Sequence, residues 1–532
     1  MSNRMGIGLI ILLATLSTVA SMGNGFAYDD IPVILENDSL HSLRNPLSWL
    51  GESYWPLARG GANYRPWTVL AFNLQWLIGG GAPWVFHLVN CILAVVIAVG
   101  VYILARRWLS PMAALIAGAV FAVHPVHVEA TGNVVGQAEL WMTMAVVAAL
   151  IIWTRPASSG PHAAGARVAV LLCFLIAATA KEQGFLLPGF LLLAAWLSGR
   201  RNDSSHDIGE LRKVLPSLGV AGVALVFLRS LVVDGSGAGP VVHGIRGLDL
   251  LERIPVVLSI IPEVIRLLIW PQHLAAEYGV PALGGSTGWT PSAFLGLLSV
   301  MALVLIGILS WRRAPLIGIG ILWVALAWFP VSNLLVPTGI LLAERTLYLP
   351  TVGLALALGA TIDAMAVVWP RRIFVLCCAV AVVLGTSRSN SRQAVWRDNA
   401  TLFRQTVRDQ PGAYRSHALL ATVHRAEGHP EQAIEAYRRA NALYGGDVEL
   451  LEDYARALRQ LDRCHEAIPL FDRALQLDAD RPVASVTRLE CLIVIGSWDR
   501  AEALAGALPA GEERQRAMAR ISAGRGDTRH RW

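Results

Sequence analysis

The stretch RMGIGLIILLATLSTVASMGNGFAYDD, residues 4–30, places a long apolar run directly before two adjacent carboxylates, Asp29 and Asp30. A run of about 20 mostly apolar residues is long enough to cross a bilayer as a helix. Ionisable groups at membrane depth are costly, and by default they mark a functional site. The stretch therefore predicts a membrane helix over residues 5–22 with two acids beyond its end.

A second interpretation of the same run is a cleaved signal peptide. Arg4 precedes the run, and small residues occupy positions 19–25, as at a cleavage site. Residues 1–25 alone do not decide between the two interpretations, and we favour a retained helix.

The rest of the chain has the composition of a membrane protein. Of its 532 residues, 55% are hydrophobic and 15% are charged, whereas soluble domains carry about 25% charged residues. The net charge of +6 is small for this length, and no long basic run is present, which argues against nucleic acid as a partner. The six cysteines do not have the spacing of a zinc site.

Apolar segments along the first three quarters of the chain predict a polytopic bundle of about 11 spans. The segment 256–270 is apolar but contains Pro262, Glu263 and Arg266, and we interpret it as re-entrant or interfacial. The predicted spans are 5–22, 84–105, 111–127, 137–154, 166–180, 184–198, 213–231, 291–310, 315–330, 350–368 and 373–387.

Four arginine pairs orient this bundle. With the N-terminus inside, all four fall on the cytoplasmic side, as the positive-inside rule requires. An odd number of spans then places the chain after residue 387 outside, in a multi-pass protein of the inner (plasma) membrane. The pairs are Arg106–Arg107, Arg200–Arg201, Arg312–Arg313 and Arg371–Arg372.

From about Asp398 the chain becomes polar and repeats every 34 residues. Tight-turn residues recur at this step, followed by small, large and small positions. This order is the signature of tetratricopeptide repeats, which have two helices each. The residues in phase are Gly428, Asp462 and Gly496; Ala433, Ala467 and Ala501; Tyr437, Phe471 and Ala505; and Ala440, Ala474 and Leu508.

The predicted fold is therefore all-α, a polytopic membrane helix bundle followed by a tetratricopeptide-repeat α-solenoid. The membrane domain covers residues 1–390, with a first outer loop at 23–66, and an extracytoplasmic repeat domain covers 391–532. Repeats form a groove for a protein or peptide partner. We place them near 414–447, 448–481 and 482–515, the last one degenerate, behind a capping helix near 397–409.

Two cysteines of the repeats, Cys464 and Cys491, lie near the same end of neighbouring predicted helices. In an oxidising compartment such a pair can form a disulfide. The alternative is two small buried residues.

The predicted topology places nearly all unusual polar residues on the outer loops and outer helix ends. Any one of them alone is best interpreted as a solvated helix end. Many of them on one face, opposite the four basic pairs, predict a site. The candidates are Asp29, Asp30, Tyr64, Arg65, His124, His127, Glu129, Gln137, Glu139, Lys181, Glu182, Glu277, Tyr278, Glu344, Arg345 and Tyr348.

Several chemistries do not fit this pattern. Pro125 between the two histidines of HPVH disfavours helical metal-ligand geometry, so we assign no metal ligands. A requirement for a divalent cation is left open. Proton-coupled transport needs acids near the bilayer midplane, whereas these acids lie on the outer loops and outer helix ends. No nucleophilic Ser or Cys dyad is visible. What remains is a polar substrate on a lipid carrier, with its anionic head group held by Arg and Lys and a carboxylate acting as general base.

The motifs YDD, YRP, HPVHVE with VVGQAEL, KEQG, EY and ERTLYLP occur in this order along the chain. They resemble those of the transmembrane and tetratricopeptide-repeat-containing (TMTC) O-mannosyltransferases and their bacterial relatives, over most of the chain and including the repeats. The resemblance implies the GT-C glycosyltransferase fold and transfer of a sugar from a polyprenyl phosphate carrier on the extracytoplasmic side. It also implies catalytic roles for Asp29, as the base, and its neighbour Asp30.

The implied partners are a polyprenyl-phosphate-linked sugar donor, with mannose expected, a protein Ser or Thr acceptor, and membrane lipid. Arg345, with Lys181 or Arg65, would balance the departing phosphate. The sequence departs from the family pattern at Gln137, where a basic residue is expected, and at Glu277, where Asp is more usual. Two other classes stay open: a GT-C enzyme that modifies a glycan or lipid, and a non-catalytic scaffold, against which the outer acids argue.

Overall fold

The computed structural model describes residues 3–42, 48–56, 63–155, 161–199, 208–233, 242, 244–279, 288–365, 371–507 and 511–529. Regular structure in these ranges is entirely helical, which confirms the predicted all-α class. The chain divides into two compact units, and the first extends to Leu402. The division therefore lies beyond the predicted boundary at residue 390.

The first unit is built from apolar helices joined by short 3-10 turns. Its α-helices are α1 (Asn3–Thr18), α2 (Pro66–Gly79), α3 (Pro83–Ala105), α4 (Pro111–Val123), α5 (Val128–Gly132), α6 (Gln137–Trp153), α7 (Pro161–Ala180), α8 (Leu187–Gly199), α9 (Ile208–Val232), α10 (Leu250–Ile269), α11 (Pro291–Ser310), α12 (Pro315–Trp328), α13 (Pro350–Met365) and α14 (Arg371–Gln393).

Within the described ranges, six single helices are long and apolar enough to cross a membrane, and a seventh span results if α4 and α5, bent by 44°, act together. The expected number of 11 is therefore not confirmed. Helix α8 has 13 residues, about 20 Å at 1.5 Å per residue, and α12 and α13 are also short. The six helices are Asn3–Gly23, Pro83–Ala105, Val134–Trp153, Ala163–Ala180, Gly209–Val232 and Pro291–Ser310.

Helix α10 contains most of the segment 256–270, which we interpreted as re-entrant or interfacial. It runs without a break through Pro255 and Pro262, and it begins at a capping box in which Asp249 and Glu252 hydrogen bond to each other's backbone N–H at 2.9 Å. An uninterrupted helix agrees better with the interfacial interpretation, which stays a prediction. The basic pair at 200–201 lies outside the described residues.

Small side chains allow the helices of this unit to pack closely. The core contains residues from several helices that are at most 1% exposed, among them Val101, Ala117, Val146 and Val352. In contrast, α9 and α11 expose many apolar side chains, such as Val220 and Leu298. An exposed apolar surface of this kind suits contact with lipid.

The second unit contains the paired helices that the 34-residue period predicts. Ala433, Ala467 and Ala501 are fully buried between them. The helices are α16 (Tyr414–Ala426), α17 (Pro430–Leu443), α18 (Val448–Gln460), α19 (Cys464–Leu477), α20 (Pro482–Val494), α21 (Trp498–Ala507) and α22 (Glu512–Arg529), preceded by α15 (Asn399–Asp409) near the expected capping helix.

A disulfide joins Cys464 at the start of α19 to Cys491 in α20, with a Cα–Cα distance of 5.1 Å. Of the two alternatives considered for this pair, a disulfide and two small buried residues, the structure contains the disulfide. The other four cysteines are free: Cys91, Cys173, Cys377 and Cys378.

Candidate active site

Five of the predicted residues meet in one connected group, which we call the acid–base cluster: Asp29, Glu129, Glu139, Lys181 and Arg345. Each lies in a loop or near a helix end. Asp29 follows the first span, Glu129 is in α5, Glu139 is in the first turn of α6, Lys181 follows α7, and Arg345 is in a 3-10 turn before α13. Residues far apart in the sequence thus come together at one end of the bundle.

Arg345 lies at the centre of the cluster. Its Nη1 contacts Glu129 Oε1, and its backbone N–H donates to Glu129 Oε2 at 2.9 Å. Its Nη2 lies 3.5 Å from Asp29 Oδ2, and its Nε lies 3.8 Å from Glu139 Oε1. One guanidinium therefore faces three carboxylates, and the contact with Glu129 is the closest.

Lys181 extends the cluster through Glu139, whose Oε1 contacts the lysine Nζ. Burial lowers the pKa of Lys181 below its ordinary value, although the carboxylate of Glu139 opposes this effect. With three acids and two bases, the five side chains sum to a charge of −1 when all are ionised. Asp29 is the most open member, with 18% of its side chain exposed, compared with 12% for Arg345 and none for Glu129.

A second ion pair, between Arg65 and Glu182, stands near the cluster. Arg65 Nε and Nη2 donate to the two oxygens of Glu182 at 3.1 and 2.8 Å. The arginine also lies 4.8 Å above the ring of Tyr54, a cation–π contact that the sequence did not suggest. Burial favours the neutral acid, but the guanidinium outweighs it and holds the pKa of Glu182 below its ordinary value.

Gly184, the last residue of the KEQG motif, lies in a tight turn against the end of α7. A Cβ at this position would lie 2.2 Å from the backbone carbonyl of Ala177 near the end of α7. Only glycine allows the turn to fold this tightly against the helix. The close approach holds Lys181 and Glu182 at the end of α7.

Asp30 has a different role from Asp29. It is fully buried and accepts hydrogen bonds from the backbone N–H groups of Ala27, Val134 and Val135, at 3.2, 3.2 and 2.8 Å. Burial raises its pKa to about 7, while these hydrogen bonds oppose the rise. Asp30 therefore ties the first loop to the start of the span that carries Glu139. These contacts favour a positioning role for Asp30, and its catalytic role stays a prediction.

Tyr28 belongs to the YDD motif but was not among the predicted site residues. Its φ of 55° lies in the left-handed region, which is unusual for a side chain of this size. Its hydroxyl donates to Glu277, and its backbone N–H donates to Asn399 Oδ1 at 2.6 Å. These contacts hold the backbone beside Asp29, and the position of Tyr28 within the motif was the available signal.

Glu344 and Tyr278 form a separate buried pair. The tyrosine hydroxyl and the backbone N–H of Ala275 both donate to Glu344 Oε1 at 2.6 Å. Burial raises the pKa of Glu344 to about 8, although the charge of Arg392 opposes the rise. This pair fixes the loop after α10 against the turn that carries Arg345.

Five further predicted residues also lie outside the cluster. His124 binds the carbonyl of Leu268 at 2.9 Å, and His127 binds Thr351 at 2.7 Å and lies 4.2 Å from the ring of Tyr348. Gln137 is fully buried and hydrogen bonded to Gln75 and Asn90, and Tyr64 donates to the carbonyl of Leu50. Their partners are other residues of the bundle, and their assignment as substrate ligands stays a prediction.

Comparisons with known proteins agree with the motif order. The tetratricopeptide repeat family model matches residues 415–457. The human protein O-mannosyl-transferase TMTC3 is 25% identical over 503 residues, which cover 87% of this chain and 54% of the relative. The Drosophila melanogaster protein O-mannosyl-transferase Tmtc1 is 27% identical over 523 residues, covering 79% of this chain and 59% of the relative. The chain thus spans about half the length of these relatives.

Among solved structures, the crystal structure of ArnT from Cupriavidus metallidurans bound to undecaprenyl phosphate is similar at a TM-score of 0.40. It is 15% identical, and the match covers 95% of this chain and 80% of ArnT. The matches to curated relatives confirm the resemblance seen in the ordered motifs: over about four fifths of its length, this chain is similar to the TMTC protein O-mannosyl-transferases.

Proposed function

We propose that this protein is a membrane glycosyltransferase that moves a sugar from a polyprenyl phosphate carrier to a hydroxyl group. The observation that carries the proposal is the pairing of the most open acid of the cluster, Asp29, with Arg345 at 3.5 Å. A general base and an anion-binding group thus lie side by side at an end of the bundle. The names of the relatives favour mannose as the sugar and protein Ser or Thr as the acceptor.

The pairing couples donor binding to base activation. Nη1 of Arg345 is held by the buried Glu129, whereas Nη2 makes only the longer contact with Asp29. A donor phosphate that takes Nη2 releases Asp29 from its partner. Phosphate oxygens match a guanidinium well, because both can form parallel hydrogen bonds.

The transfer step then follows from these two side chains. The acceptor oxygen attacks the anomeric carbon while the bond from that carbon to the phosphate oxygen breaks. Asp29 accepts the acceptor proton, and Arg345 balances the charge that develops on the departing carrier phosphate. Glu139 contacts Lys181 and faces Arg345, so it holds both cations near the phosphate.

We further propose that the cluster faces the extracytoplasmic side of the inner membrane. The positions of the arginine pairs favour this orientation. The proposed step needs no cofactor. A divalent cation, which the sequence left open, would show itself as loss of transfer on addition of a chelator.

The proposal is tested with the full chain in nanodiscs, a panel of polyprenyl-phosphate-linked sugars that includes mannose, and Ser/Thr peptides. We expect transfer by the wild type and a severe loss in Asp29→Asn. The matched control is Asp38→Asn, a fully exposed carboxylate of the same outer loop, which should transfer normally. Transfer to a glycan or lipid but not to a peptide would show that protein Ser or Thr is not the acceptor. Absence of transfer from every donor would favour a non-catalytic scaffold.

A further inference from the structure

Three side chains with metal-binding atoms meet in the first repeat, far along the sequence from the acid–base cluster. We call His424, Glu427 and His429 the turn triad. Their ligand atoms all lie within 4.8 Å of one another, and no other group of this kind occurs in the described ranges. His424 Nδ1 is buried and has no hydrogen-bond partner in the described part of the chain.

The backbone of the turn determines this arrangement. Helix α16 ends at Ala426, Gly428 takes a left-handed φ of 75°, and α17 begins at Pro430. The backbone N–H of His429 donates to the carbonyl of His424 at 2.8 Å, which brings the two histidines together across the turn. The spacing of the triad is therefore part of the repeat fold.

The end of α16 also favours a cation. The helix dipole gives the C-terminus of a helix a partial negative charge, which attracts positive ions. Two imidazoles and a carboxylate are a ligand set that suits Zn²⁺ and similar transition metals, with a fourth position open to water. Glu427 and His429 are exposed, so their side chains are free to turn toward the ligand atom of His424.

Arg404 supplies an outer partner for the triad. Its Nη2 lies 2.6 and 2.5 Å from the two oxygens of Glu427. Carboxylates that bind a metal commonly keep a second hydrogen bond, which holds them in position. One oxygen of Glu427 can turn to the metal while the other stays with Arg404, which would link the turn to α15.

We propose that the turn triad binds one transition-metal ion of the Zn²⁺ type and that the bound ion braces the first repeat against α15. This site is separate from the proposed transfer chemistry. It would act on the stability of the repeat unit, where a protein partner would bind.

The test uses the full chain in detergent, freed of metal by a chelator and then titrated with ZnCl₂ by calorimetry. We expect one ion per chain, and a loss of at least about tenfold in affinity in His429→Ala and Glu427→Gln, since even outer partners of a metal site are worth roughly 10–100-fold. The control is His465→Ala, an exposed histidine elsewhere in the repeats, which should bind normally.

Co²⁺ gives a second readout that does not depend on the variants. The wild type should develop the visible absorption of tetrahedral Co²⁺, and Zn²⁺ should displace it. Absence of Zn²⁺ binding in the wild type, or equal affinity in the wild type and both triad variants, would overturn the proposal. Loss of binding in His465→Ala alone would do the same.

Discussion

Asp29 and Asp30 are neighbours in the chain but have unlike surroundings. Asp29 is partly exposed and pairs with Arg345, whereas Asp30 is completely buried and accepts three backbone hydrogen bonds. The acceptor must come within hydrogen-bond reach of the general base, and of these two residues only Asp29 is accessible. Three predictions at the residue scale follow from this difference.

Asp29→Asn should lower the turnover of sugar transfer by roughly 10²–10⁴, the usual share of general-base catalysis. The amide is nearly isosteric, so the fold and donor affinity should change little. Initial rates with a polyprenyl-phosphate-linked donor in nanodiscs check this, with donor binding measured in parallel. A wild-type rate in this variant would refute the base assignment.

Arg345→Lys keeps the charge but loses the planar fork. A single ammonium cannot hold Glu129 and leave a second donor for a phosphate, so transfer should fall roughly 10- to 100-fold, the equivalent of one charge-assisted hydrogen bond. Rates and donor affinity are compared with Arg397→Lys, an exposed arginine of the same unit. Unchanged donor affinity and turnover in Arg345→Lys would show that the fork has no role.

Asp30 should make stability depend on pH. Its folded-state pKa of about 7 lies above the ordinary value of 3.8 because of burial. Its stabilising contribution is therefore full below about pH 4 and is lost as the pH rises through about 7. The Tm difference between wild type and Asp30→Asn should shift in favour of the variant over this range.

Thermal unfolding in detergent at several pH values measures this difference. Asp38→Asn is the control, because its side chain is fully exposed. A wild-type advantage over Asp30→Asn that stays constant or grows from pH 4 to pH 7 would contradict the assignment.

At the scale of elements, the turns of the repeats share one backbone requirement. Gly428, Asp462 and Gly496 recur every 34 residues and have φ values of 75°, 58° and 73°. Left-handed backbone is easy for glycine and tolerated by aspartate, and most other residues are strained there. The period seen in the sequence is therefore a period in backbone geometry.

Gly428→Ala should destabilise the first repeat by roughly 1–2 kcal/mol, the usual cost of left-handed backbone. A Cβ there would meet no atom within 4 Å, so the effect isolates the backbone term. Gly506 also has open space around it but is the second-to-last residue of helix α21. Gly506→Ala should instead stabilise, by less than the roughly 0.5–1 kcal/mol that applies in the middle of a helix.

For Gly428→Ala, hydrogen exchange of the amides in α16 and α17 measures the local opening free energy. For Gly506→Ala, hydrogen exchange of the amides in α21 measures it. Equal signs for the two substitutions would show that left-handed geometry is not what the turn requires.

At the scale of the whole molecule, the disulfide and the topology make a joint prediction. A disulfide between Cys464 and Cys491 persists in an oxidising compartment, and the proposed orientation, drawn from the arginine pairs, has the repeats outside. Alkylation of the denatured protein isolated from membranes should modify four thiols before reduction and six after it.

Cys464→Ser should show five thiols in both measurements, since its former partner becomes free. Equal counts before and after reduction of the wild type would contradict the disulfide. A C-terminal reporter that is active only in the cytoplasm would contradict the orientation.

The sequence by itself determined the features that depend on local pattern. Apolar runs and the 34-residue period predicted a membrane bundle followed by paired helices, because periodicity reflects which side chains are buried. The predicted topology nominated Asp29, Glu129, Glu139, Lys181 and Arg345, together with eleven other polar residues that lie outside the cluster.

Only the tertiary structure decided how these residues are connected. Burial is a property of contacts between segments distant in the chain, so the sequence could not separate the buried Asp30 from the partly exposed Asp29. It also could not show that Gln137 bonds to Gln75 and Asn90. The predicted number of spans was not confirmed for a related reason, since hydropathy marks apolar segments but does not show how long each helix is.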